Sequence, residues 1–162
     1  MLGAIVGAAR RNHALEHATV AVLMSRRGPT VRLLGRATGD GFYLYGNVPE
    51  AELAEAAAEA LARLQRGEAQ LAVTPLCGTN LAVAGTLAGI ASLLAVGSGD
   101  RWQRLPDVLL GALLAVVAAQ PLGRWVQQHL TTSPDLSGTR IVGIRRGGSG
   151  RGRYFKVETA SR

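Results

Sequence analysis

Two histidines, His13 and His17, stand four residues apart in the stretch Arg10-Arg11-Asn12-His13-Ala14-Leu15-Glu16-His17-Ala18-Thr19-Val20, with one carboxylate, Glu16, beside the second. On a helix, residues three and four apart share a face, so His13, Glu16 and His17 point the same way. Two neutral imidazoles in that relation can close on one metal ion. A carboxylate beside them can take a proton from metal-bound water. The spacing therefore makes His13 and His17 candidate ligands of a zinc ion, and Glu16 the candidate catalytic base. The plain alternative is a polar helix face on which Glu16 pairs with a histidine.

A catalytic zinc uses three protein ligands and a water. Cys77, in Pro75-Leu76-Cys77-Gly78-Thr79-Asn80, offers a soft sulfur ligand. His129 and a glutamate of residues 50–59 are the other choices, and spacing leaves the three open. As the single cysteine, Cys77 excludes an internal disulfide.

The elements that must position these residues can be taken in order. Residues 3–26 read as one helix ending at Gly28-Pro29, its apolar start suited to a membrane surface. Val31 to Leu34 and Phe42 to Tyr45 read as strands joined by the turn Thr38-Gly39-Asp40-Gly41. Asn47 is placed to cap an amphipathic helix over 49–66, with Leu53, Ala57, Ala60, Leu61 and Leu64 as its apolar stripe. Gln70 to Thr74 reads as a third strand. Thr139 to Arg145 and Tyr154 to Glu158 read as two more, joined by a glycine-rich link over 146–152.

Between the third strand and the last two lie Leu81 to Gly97, without a charge, and Pro106 to Leu122, with Asp107 at its edge. About 17–25 apolar residues cross a bilayer as a helix. Together with the polar link 98–105 they read as a transmembrane hairpin. Gly85 and Gly89, and Gly111, Ala115 and Ala119, set small residues at four-residue spacing, which suits close packing of the hairpin on itself and a homodimer. The net charge is +7, and Lys156 is the single lysine among 18 cationic residues. Only Arg101 and Arg104 fall in the link, while Arg124 flanks the second span. Positive charge stays on the cytoplasmic side. The expectation is a multi-pass protein of the cell membrane with both termini cytoplasmic, its basic balance explained without nucleic acid.

The expected fold class is α+β: a small cytoplasmic sandwich of helices and antiparallel strands with an inserted two-helix transmembrane hairpin. Residues 1–78 would form its N-terminal part, 79–126 the hairpin, and 127–162 the strands that complete it.

Two resemblances bear on function. RNHALEHATV, GFYLYGNVP and CGTNL together resemble a family of small bacterial and plastid-type membrane proteins of unknown function, over about residues 10–122. That resemblance implies a membrane protein and no particular activity, and it favours Cys77 as a site residue. Separately, His13-Ala14-Leu15-Glu16-His17 is similar to the H-x-L-E-H of inverted zincin peptidases, in which two histidines bind zinc and the glutamate is the base. It implies His13 and His17 as ligands and Glu16 as base. The expected function is a membrane-anchored zinc hydrolase, a peptidase acting on a protein or peptide near the cytoplasmic face. The alternative is a non-catalytic membrane subunit or assembly factor that binds a metal, a pigment or a protein partner through its histidine face.

Overall fold

A computed structural model describes residues 2–28, 30–96, 102–148 and 153–161. Pro29, residues 98–101 of the polar link and residues 149–152 of the glycine-rich link lie outside the described residues. The fold class is α+β. The chain divides into two compact units, Met1–Val73 with Gln128–Arg162, and Thr74–Gln127.

The first unit is built on helix α1, Leu2–Arg27. After Gly7 its sequence holds no helix breaker until Gly28. Gly28 takes a φ of 85° and returns its N–H to the Met24 carbonyl at 2.8 Å, the left-handed close that glycine allows. Arg26 and Arg27, in the last turn, reach across to helix α2, Glu50–Gln65. Arg26 bonds Glu59 at 2.6 Å, and Arg27 bonds Glu52 at 2.6 Å. The Arg27 hydrogen bonds hold the Glu52 carboxyl below the usual carboxylate range. Helix α2 begins differently from expectation: Pro49 is its N-cap with no side-chain bond, and Asn47 meets Arg27 through its carbonyl instead.

Four antiparallel strands complete this unit: β1, Leu33–Thr38; β2, Gly41–Gly46; β3, Thr139–Gly147; and β4, Tyr154–Ser161. Their order is β1-β2-β4-β3, so two hairpins join through β2 and β4. Phe42, Leu44, Phe155 and Val157 alternate along the two central strands and are buried. They meet Leu15, Ala18, Val22 and Leu23 of α1 and Leu53, Ala56, Ala57, Ala60 and Leu64 of α2 in one core. Strand β1 starts two residues later than its apolar run and extends to Thr38, because the Gly39-Asp40 turn sets the register, pairing Thr38 with Gly41.

The expected strand over Gln70 to Thr74 is not formed. Ala69–Ala72 makes a single 3-10 turn. Alanine, glutamine and leucine carry no strand preference. The left-handed Gly67 before them, at φ 92°, turns the chain at the end of α2.

The second unit is two helices, α3 at Gly78–Val96 and α4 at Leu105–Val126. Both are long and apolar enough to cross a membrane. A 19-residue helix is about 28 Å long, close to the hydrocarbon thickness of a bilayer. Their leucines point outward, with Leu81, Leu93 and Leu94 more than three-quarters exposed. Within this unit the helices are tied by polar atoms. The Asn80 side chain donates to the Pro75 carbonyl at 3.0 Å and accepts from Gln127 Nε2 at 2.8 Å, and Gln127 Oε1 accepts from the Thr74 amide at 3.1 Å. A Cβ on Gly123 would lie 2.1 Å from Asn80 Oδ1, so only glycine admits this knot. Gly85 and Gly89, expected to bring the two helices together, face open space; Gly111, against Ala91, makes the close approach.

Asn12 pins α1 to the sheet. Its Nδ2 donates to the Thr38 carbonyl at 2.7 Å, and its Oδ1 accepts from Thr159 Oγ1 at 2.6 Å. Asn12→Ala removes both bonds and leaves two groups to find new partners. A loss of about 1–3 kcal/mol is expected, read as a lower unfolding midpoint by circular dichroism in detergent. An unchanged midpoint would show that the pin contributes nothing.

Candidate metal centre

The polar residues of the Arg10–Thr19 stretch each have a separate structural task. Arg10 Nη2 donates to the carbonyls of His129 at 2.8 Å and Thr132 at 3.0 Å, and the Arg10 carbonyl accepts from the Ser133 amide. This clamps the segment after α4 along α1. Thr19 returns its hydroxyl to the Leu15 carbonyl within the helix.

His13 Nδ1 lies 2.9 Å from the Thr131 carbonyl, and His17 Nδ1 lies 2.7 Å from the Ala72 carbonyl. A carbonyl can only accept. Each Nδ1 must therefore carry the proton, and each neutral ring then keeps its lone pair on Nε2. The two rings meet edge to face with centroids 4.3 Å apart. This is the tautomer that metal-bound imidazoles adopt when a second group orients them. The orienting carbonyls come from turns. Thr131 closes a single π-helical turn, Gln127–Thr131, and Ala72 ends the 3-10 turn. A strand at 70–74 would have committed the Ala72 carbonyl to a sheet ladder.

Glu16 is buried, and its Oε2 lies 3.7 Å from His17 Nε2. Its carboxyl packs flat on Gly35 of β1: a Cβ there would fall 1.8 Å from Oε1 and 2.2 Å from Cδ. Gly35 thus fixes where the acid stands, and no motif pointed to it.

Cys77 is buried immediately before α3, and the Thr79 amide donates to its Sγ at 3.4 Å. An N–H aimed at sulfur from a helix N-terminus stabilises negative charge there. His13 and His17 belong to the first unit and Cys77 to the second.

The other two choices for a third ligand have different roles. The His129 side chain is exposed, and the residue joins this region through its carbonyl on Arg10. Glu52, Glu55 and Glu59 of α2 pair with Arg27 and Arg26.

Residues 8–144 match the family model described as Domain of unknown function (DUF6391). An uncharacterized protein of Picosynechococcus sp. (strain ATCC 27264 / PCC 7002 / PR-6) is 40% identical over 141 residues, covering 79% of this chain and 67% of that protein. No solved structure matches.

The Gly35–Glu16 contact makes a sharp prediction. Gly35→Ala forces the carboxyl out of place and is expected to destabilise the unit by about 1–3 kcal/mol. Glu16→Ala removes the atoms it meets, so the double variant should recover most of that loss. Additive losses in chemical denaturation would mean that Gly35 acts through something else.

Proposed function

The chain belongs to the DUF6391 family, and from that premise we propose that it is a membrane-anchored zinc hydrolase with its centre on the histidine face of α1. In this reading His13 Nε2, His17 Nε2 and Cys77 Sγ hold the metal and Glu16 is the general base. One observation carries the reading: both imidazoles have Nδ1 occupied by a backbone carbonyl, so that Nε2 of each adjacent ring is left for a metal, with the Glu16 carboxyl 3.7 Å from that of His17. A helix face serving only to satisfy hydrogen bonds has no need of two like tautomers with their rings in contact.

Zinc, when bound, supplies Lewis acidity and a water of lowered pKa. The chain's own groups do the rest. Gly35 and the surrounding core fix the Glu16 carboxyl, so it takes the proton of the attacking water without searching for geometry. It then returns that proton to the departing amine, and water has been added across an amide bond. The substrate class we assign is a peptide or protein segment near the membrane. The two apolar helices support anchoring in the cell membrane, and the concentration of arginine outside the 98–105 link supports cytoplasmic termini.

The burial of both Glu16 and His17 favours a second reading. There Glu16 is a fourth ligand and the centre is closed, serving a non-catalytic membrane subunit.

Elemental analysis of detergent-purified protein should give about one zinc per chain. His13→Ala and His17→Ala should each abolish it, with Cys77→Ser weakening it. Glu16→Gln separates the two readings. As the base, it leaves zinc in place and lowers peptide hydrolysis by about 10²–10⁴-fold. As a fourth ligand, its replacement lowers zinc retention. Hydrolysis at the parent rate in Glu16→Gln would remove the enzyme reading, and a parent protein without metal would remove both.

A further inference from the structure

A second set of charged residues lies within the α+β unit, and the metal centre uses none of them. A cleft of about 330 Å³ is lined by Arg27 at the end of α1, by Asn47 and Glu50 at the start of α2, and by Arg146 and Arg153 of the β3–β4 hairpin. That volume suits a small ligand.

The strands themselves aim two of the arginines. Arg146 stands opposite Phe155 in the β3–β4 register, and Arg153 precedes Phe155 by two residues. Opposed and alternate residues share a face of a sheet. Phe155 is buried on the helix-covered face, so Arg146 and Arg153 leave the sheet on that face at its end. Arg27 arrives from the helix side, its direction set by Glu52 and by the Asn47 carbonyl. Three guanidinium groups therefore line one small cleft. Of the neighbouring carboxylates, Glu52 is engaged with Arg27, and Glu50 stands in the lining itself. These two carboxylates offset two of the three positive charges, so the cleft keeps a net positive charge that favours an anion. Guanidinium forks match the oxygens of phosphate in pairs.

We propose that this cleft binds a phosphate-bearing anion. The phosphate is carried either by a soluble compound or by an anionic lipid headgroup, since both offer the same oxygens. The site stands apart from the proposed zinc chemistry and does not depend on it.

The test uses the full chain in detergent with two probes, inorganic phosphate and dihexanoyl phosphatidylglycerol. Dihexanoyl phosphatidylcholine is the zwitterionic comparison, and binding is followed by calorimetry. At least one anionic probe should bind saturably, and R146Q/R153Q should raise its dissociation constant by about tenfold or more. Tighter binding of phosphate assigns a soluble ligand. Tighter binding of phosphatidylglycerol than of either other probe assigns a headgroup. Arg145 pairs with Glu158 and does not line the cleft, so R145Q should bind as the parent does. The single variants R146Q and R153Q, both at exposed positions, are read in the same way. The proposal fails if neither anion saturates, if R146Q/R153Q binds like the parent, or if R145Q weakens binding equally.

Discussion

Everything at the candidate centre depends on two backbone carbonyls, those of Ala72 and Thr131. Each accepts from a histidine of α1 and so decides which ring nitrogen is left over. Neither carbonyl belongs to regular sheet or α-helix. One ends a 3-10 turn and the other a π-helical turn. Irregular backbone is where a carbonyl can be directed at a side chain, because it is not committed to a ladder. The arginine and asparagine ahead of the histidines hold α1 in place for this. Arg10 fixes the 129–132 segment and Asn12 fixes the sheet. The sequence run Arg10-Arg11-Asn12-His13 thus places positioning residues directly before the residue they help to position.

What could be read from the sequence follows the range of each signal. The α1 face was legible, since helical spacing alone brings His13, Glu16 and His17 together. The apolar runs of α3 and α4 were legible from their length without charge, and the two β-hairpins from alternation and turn residues. Residues 70–74 resemble a strand because three apolar residues, Leu71 to Val73, run up to Thr74 and a proline, and only tertiary contact shows that the Ala72 carbonyl faces His17. Asn47 resembled a helix cap, but Pro49 already starts the helix. The GxxxG pattern in α3 does not meet α4 within the hairpin. A four-residue repeat says which residues share a face, not which face meets a neighbour.

The residues that sequence reasoning missed act over long range. Gly35 accommodates a carboxyl 19 residues earlier in the chain, and Gly123 accommodates an asparagine in another helix. A glycine needed for close approach looks the same in sequence as one needed for a turn. Asn80 stands close to Cys77 in sequence, yet its role in a buried knot with Gln127 and Thr74 comes from pairings 47 and 6 residues distant.

The chain position of Thr131 has a consequence for biosynthesis. The carbonyl that orients His13 lies 118 residues downstream, after both apolar helices. Strand β4, which completes the sheet beside β2, is made later still. While the ribosome is still producing α3 and α4, His17 already has Ala72 in the chain, but His13 does not yet have Thr131. A nascent protein therefore cannot present a finished centre until the hairpin has been made and the chain has returned. Any reactivity of that centre is withheld from the half-made molecule by the order of translation alone.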